Sequence, residues 1–159
     1  MEIPITIRQA TLSDLNEMLA IEEANFSSEE AVSRQSLEES IRKSAGTFLV
    51  ARDENQLVGY VLGALVSETH TQAILNLEIK RLAIHPDHCG QGLGTLLLAS
   101  LKQAAVEEGV KCLRLTCPDD FLSYFEMNGF IEEEVPEAQY ASSSEWNLIW
   151  VNPFYQEEI

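Results

Sequence analysis

Arg81-Leu82-Ala83-Ile84-His85-Pro86, followed by Gly90-Gln91-Gly92-Leu93-Gly94-Thr95-Leu96-Leu97, is the stretch on which the fold turns. Its first half ends an apolar run that begins near Ala73. Its second half is a glycine-rich loop running straight into Leu93, Leu97, Leu101 and Ala105, spaced by four as on one face of a helix. Strand, glycine loop, helix is an order that suits phosphate. A helix N-terminus opened by glycines offers backbone N–H groups and a partial positive charge, with little need of basic side chains. Two phosphate motifs are excluded by residue type. A P-loop ends Gly-Lys-Ser/Thr, whereas this loop ends Leu93-Gly94-Thr95. The dinucleotide fingerprint needs Gly-x-Gly-x-x-Gly opening a βαβ unit, but Gly90, Gly92 and Gly94 are evenly spaced and lie mid-chain.

Working towards the N-terminus, Ala73 to His85 reads as a strand with a break of phase. Leu75, Leu77 and Ile79 share one parity, Leu82 and Ile84 the other, and the slip falls at Lys80-Arg81. A β-bulge gives that pattern, and so does a strand covered on both faces. Thr47 to Arg52 and Leu57 to Val66 form a hairpin about the turn-forming Asp53-Glu54-Asn55-Gln56. Ile3, Ile5 and Ile7 alternate in a first strand reaching Gln9. Thr11 or Ser13 caps a helix to about Phe26 with Leu12, Leu15, Met18 and Leu19 at helical spacing. A second helix is predicted from Glu29 to Ser44, acidic at its start.

Towards the C-terminus, Gly109 ends the helix after the loop, and Lys111 to Cys117 is a strand, parallel to the previous one because a helix joins them. Pro118 to Asn128 is a short helix stopped by Gly129, Phe130 to Glu134 is extended, and Ala141 to Ser144 is a loop tip. Glu145 to Asn152, alternating Trp146, Leu148 and Trp150, is the last strand. The sum is a mixed α/β (α+β) fold of six to seven strands, mostly antiparallel, with a bulged central strand and about four helices.

The 159 residues suit one domain, 1–159, with no internal repeat or linker. No apolar run approaches the roughly 20 residues of a membrane span, and Met1 to Ile5 do not resemble a secretion signal. A cytoplasmic, non-membrane protein is expected. Cys89, Cys112 and Cys117 lack metal-ligand or disulfide spacing, so reduced thiols and no metal are expected. The net charge of −16 disfavours nucleic acid as a partner and suits a cationic one, although it also serves solubility.

The quoted stretch resembles the acetyl-CoA motif of the GNAT superfamily of N-acetyltransferases, written Gln/Arg-x-x-Gly-x-Gly/Ala. Gly92 and Gly94 hold its two small positions, and Cys89 stands where Gln or Arg is usual. Tyr124-Phe125-Glu126-Met127-Asn128-Gly129-Phe130 looks like the family's Phe-Tyr-x-x-x-Gly-Phe segment. The resemblance implies a GNAT-like fold, acetyl-CoA as co-substrate, and a cofactor site formed by Leu82, Ala83, Ile84, Cys89, Gly90, Gln91, Gly92, Leu93, Gly94, Thr95 and Phe125. It also implies that pantetheine pairs with Leu82 to Ile84 and that a backbone N–H near Leu82 polarises the acetyl carbonyl.

Acetyl transfer needs a neutral amine, a positioned thioester and a fate for the leaving thiolate. Glu78, on the strand before the phase break, is the first candidate base, beside the plain reading of an outward-facing strand residue. His85 comes next. Tyr124 is the candidate acid, one position from the family's tyrosine, which is Phe125 here; neighbouring helical residues diverge by about 100°. Cys117 is an acyl carrier on one reading and a small buried hydrophobe on the other. For the acceptor, Glu22 or Glu23 would attract an ammonium and Phe26 would meet an aromatic group, with Trp146, Phe154 and Tyr155 as further aromatic candidates.

A looser similarity to arylalkylamine N-acetyltransferases favours a small amine acceptor. The alternatives are a protein N-terminal or lysine acetyltransferase, and a non-catalytic acyl-CoA-binding module on the same fold. A homodimer stays open.

Overall fold

Ile7 lies in the first strand, β1 (Thr6–Gln9), with Ile5 just before it, and β1 pairs antiparallel with β2 (Phe48–Arg52). The computed structural model describes residues 4–44, 46–67, 74–134 and 145–156, so Ile3 and the expected loop tip Ala141 to Ser144 lie outside the described residues. Among those described, β3 (Leu57–Ser67), β4 (Ile74–Ile84), β5 (Cys112–Pro118), β6 (Ile131–Glu132) and β7 (Glu145–Val151) complete a seven-stranded sheet. Its order is β1-β2-β3-β4-β5-β7-β6. Among the described residues β1–β2, β2–β3, β5–β7 and β6–β7 pair antiparallel, and β4 with β5 is parallel at Asn76–Cys112, Leu77–Leu113 and Glu78–Arg114. Four α-helices are described: α1 (Leu15–Asn25), α2 (Arg34–Lys43), α3 (Leu93–Glu108) and α4 (Leu122–Met127). This is the expected mixed α/β fold.

The chain falls into two compact units, Met1–Ala64 with Lys80–Ala104, and Leu65–Ile79 with Ala105–Ile159. In the first, Met18 and Ile21 of α1 and Leu37 and Ile41 of α2 pack on Phe48, Val50, Leu57, Tyr60 and Ala83. The hairpin carries an extra residue: Ala51 pairs with Gly59 but Arg52 with Leu57, so Val58 is bulged and both Leu57 and Tyr60 reach this core. Gly59 lies on the other face. A Cβ there would stand 2.8 Å from Ile84 Cδ1, 3.0 Å from the Ala83 carbonyl and 3.3 Å from Leu97 Cδ1 of α3, so glycine permits a close approach of strand and helix.

Two helix starts differ from the expectation. Residues Leu12–Asp14 form a 3-10 turn, so Leu12 is exposed and Ile21 joins the buried stripe instead. The Thr11 N–H donates to Asp14 Oδ2 (2.8 Å), and Arg8 and Arg52 pair with the same buried carboxylate at 2.7 and 3.2 Å. The second helix does not begin at Glu29 and is not acidic at its start. Ser33 caps α2 by accepting from the Ser36 N–H (3.1 Å), and Arg34 opens the helix. A serine side chain that satisfies an orphan N–H outweighs a favourable charge three residues earlier.

In the second unit, Leu113, Leu115, Cys117 and Leu148 bury the β5–β7 pair, and Phe125 and Phe130 close over each other edge to face with centroids 5.8 Å apart. Gly129, at φ +91°, turns the chain from α4 into β6.

Candidate active site

Pro86 can occupy only the first position of a helical turn, and Pro86–His88 is a 3-10 turn whose Asp87 N–H donates to the His85 ring (3.1 Å). Gly90 (φ +80°) and Gly92 (φ +79°) then take the left-handed conformation and turn the chain into α3, where the Leu96 N–H donates to the Gly92 carbonyl at 3.0 Å. Leu93 is buried and anchors the helix, while Cys89, Gly90, Gln91, Gly92 and Thr95 are exposed and Gly94 is half-buried. A Cβ added at Gly90 or Gly92 would meet nothing within 4 Å. The turn opens a 16-residue helix, whose dipole places its positive end at these residues. No lysine or arginine occurs from Leu82 to Leu101.

The loop is braced from below. Gln56 Nε2 lies 3.0 Å from His88 Nε2, and His88 Nδ1 lies 3.4 Å from Gln91 Oε1, so the imidazole links the hairpin turn to the loop. The Cys89 thiol points to the His85 carbonyl (3.7 Å). Behind the loop, the end of β4 is fixed by its neighbours: the His85 N–H donates to the Val58 carbonyl and Asn25 Nδ2 to the Ile84 carbonyl, each at 2.8 Å. Ala83 is buried, while Leu82 and Ile84 are half-buried.

The acceptor residues expected from the sequence are occupied by other work. Glu22 is 1% exposed. Its oxygens accept from Arg81 Nη2 (2.6 Å), Arg81 Nε (3.1 and 3.2 Å), the Val32 N–H (2.9 Å) and the Tyr60 hydroxyl. A carboxylate held this way counters Arg81 and has little attraction left for an ammonium. Burial alone would raise its pKa, but the bonds from Arg81, Tyr60 and Val32 outweigh that and hold it below the usual carboxylate range. Tyr60 is pushed far up, first by burial and then by Glu22. Phe26 is half-buried, its ring covered by the Arg81 guanidinium at 3.7 Å. Glu23 is exposed on α1.

The remaining candidates belong to the second unit. Glu78 is half-buried on β4, in register with Arg114, whose guanidinium is held by Glu133 at 2.8 Å. Tyr124 is half-buried on α4 with its ring edge-on to Phe125 at 5.3 Å; Phe125 itself is buried between Tyr124 and Phe130. Cys117 is buried, and burial followed by the Glu145 and Asp119 carboxylates raises its pKa, which disfavours the thiolate an acyl carrier needs. Cys89, Cys112 and Cys117 are free thiols. Trp146 donates to Asp119 at 3.2 Å, and Phe154 is exposed. The sequence does not announce the bonds that tie Arg81 and Tyr60 to Glu22 and Asn25 to the Ile84 carbonyl. The available signal was a charged Arg81 inside an apolar strand.

The model of the acetyltransferase (GNAT) family matches residues 13–130, and the chain belongs to that family. As a member it is an acyl-CoA-dependent N-acetyltransferase. In structure it is similar to Ard1 from Thermoplasma volcanium (17% identity, TM-score 0.76, covering 96% of this chain and 99% of that one). It is also similar to the PaiA N-acetyltransferase of Thermoplasma acidophilum, solved in complex with coenzyme A (19%, TM-score 0.76, covering 94% and 99%). The ribosomal-protein-S18-alanine N-acetyltransferase of Escherichia coli is a third such neighbour (18%, TM-score 0.71, covering 98% and 97%). At these identities the likeness concerns the fold. No helix among the described residues is long and apolar enough to cross a membrane.

Proposed function

We propose that the chain acetylates a cationic primary amine by direct attack on the thioester of acetyl-CoA. The observation that carries this reading is the exposed Gly90–Gly92 turn at the head of α3, with positive φ at both glycines and open space above them. In this reading the amides of Gly92, Leu93 and Gly94 grip the diphosphate, and Cys89, Gln91 and Thr95 line its approach. The Leu82–Ile84 backbone holds the pantetheine arm, and the Leu82 N–H polarises the acetyl carbonyl.

Glu78 takes the proton of the incoming ammonium and Tyr124 returns one to the departing thiolate; both roles rest on chemistry and on position in the sequence. Phe125 supports the cofactor side from within its aromatic cluster. A small amine remains the first acceptor class, but the occupancy of Glu22 and Phe26 withdraws the specific support for an arylalkylamine. Acetylation of a protein N-terminus is the second reading, supported by the likeness to the S18-alanine N-acetyltransferase.

The test measures CoA release from acetyl-CoA with polyamines, arylalkylamines and peptides bearing free N-termini. Calorimetric titration with CoA runs beside it. Turnover on the small amines bears out the first reading, and turnover on peptides alone turns the assignment to protein acetylation. CoA binding without any turnover favours the non-catalytic module, and absence of CoA affinity ends the proposal.

A further inference from the structure

We propose that Arg81, held by Glu22 and Tyr60, is a positioning residue that sets the direction of the Leu82 N–H toward the acetyl carbonyl, an inference that rests on the function proposed above. The Leu82 N–H belongs to the same rigid planar peptide unit as the Arg81 carbonyl, so holding residue 81 in place restrains where that N–H can point, within the rotation left about the Arg81 Cα–C bond. The Arg81 side chain has several partners. Nε and Nη2 fork onto Glu22 of α1, Nη2 also donates to the Glu30 carbonyl (2.8 Å), and the guanidinium lies flat on Phe26.

Glu22 is tied in turn to β3 through Tyr60 and to the α1–α2 connection through the Val32 N–H. Two residues beyond Leu82, Asn25 at the end of α1 holds the Ile84 carbonyl. The three-residue stretch proposed to hold pantetheine is thus gripped at both ends by side chains from one helix and its following connection.

Stability alone does not account for this arrangement. An apolar pair of similar volume would fill the same space without the desolvation cost of a buried ion pair, and such replacements are often neutral or stabilising. What an apolar pair cannot supply is direction. A planar guanidinium with fixed donors restrains orientation as well as position.

The experiment uses acetyl-CoA carrying a 13C carbonyl and reads the carbonyl stretch of the bound thioester by isotope-edited infrared spectroscopy, which needs no acceptor. The full-length wild-type chain should lower that frequency relative to free acetyl-CoA. In the double variant Glu22→Gln/Arg81→Met, which removes both charges together, the fold by circular dichroism and the CoA affinity to within about threefold should be kept, while about half or more of the frequency shift is lost. Arg81→Lys should lie between. Asn25→Ala, at an exposed position that leaves the core untouched, should lose part of the shift even if the double variant does not fold.

A wild-type shift retained in the folded double variant, or in Asn25→Ala should that be the only folded variant, overturns the inference and leaves the acetyl-CoA reading standing. Wild type that binds CoA but shows no shift also overturns it, since there is then no polarising amide to position. Wild type without CoA affinity removes both.

Discussion

A carboxylate as enclosed as Glu22 survives only while its partners remain. Replacing it with Gln leaves the Arg81 charge without its counter-ion in a largely covered place, and we expect Glu22→Gln to cost roughly 3 kcal/mol in urea unfolding. The sign with pH follows from the depressed pKa values of Glu22 and Asp14. For Asp14, burial pushes upward, and the bonds from Arg8 and from the Thr11 N–H outweigh it. A lowered folded-state pKa gives stability that is complete above the unfolded value of about 4 and is lost as pH falls through the folded one. Unfolding midpoints should therefore be level from neutral pH to about 5.5 and drop on further acidification, and the drop should be shallower in an Asp14→Asn variant. An equally steep acid drop in that variant would contradict the assignment. At Gly92 the expectation is of another kind. Alanine meets no atom there, so its stability cost is the strain of φ +79°, about 1 kcal/mol, whereas its methyl group intrudes where the diphosphate would approach. Calorimetry should show CoA affinity falling about tenfold.

At the scale of elements, the close approach of β3, β4 and α3 makes Gly59 a sensitive position. Gly59→Ala places a Cβ against the Ala83 carbonyl and Ile84, so β4 must move; we expect a loss of about 2 kcal/mol in thermal unfolding together with weakened CoA binding. Ser33→Ala, which removes a cap far from the loop, should cost about 1 kcal/mol and leave CoA affinity unchanged. The sequence displayed most of these elements because their signals are local. The Asp53–Gln56 turn, the four-residue spacing from Leu93 and the stop at Gly109 are each complete within a few residues. The start of α2 is not legible locally because three serines and two glutamates offer competing caps, and the choice of Ser33 depends on where Leu37 and Ile41 must pack. Of the site, the glycine loop was legible for the same local reason. The Glu22–Arg81 pair was not: its partners lie 59 residues apart, and a buried glutamate on a helix looks in sequence like any solvated one. The bulge at Val58 stayed hidden because only the register against β2 reveals it.

Over the whole molecule, 26 acidic and 10 basic residues give a field that repels polyphosphates and attracts amines. A phosphate site made of lysines weakens in salt, but this loop has no lysine or arginine from Leu82 to Leu101. Raising ionic strength from about 20 to about 200 mM shortens the Debye length from roughly 20 to 7 Å, screens the repulsion, and should leave CoA binding about twofold tighter. The KM of a cationic acceptor should rise over the same range, so opposite salt trends for the two substrates would mark this division of labour; a CoA affinity that falls with salt would argue against a backbone-built phosphate site.

Cys89 sits bare on the turn while Cys112 and Cys117 are enclosed. A maleimide fluorophore offered to the native protein should therefore attach to a single sulfur, next to the amides that receive the diphosphate, and occupation of the turn by CoA should slow the labelling. The residue that departs from the family pattern thus gives the chain a built-in optical reporter, with no engineering required to install it.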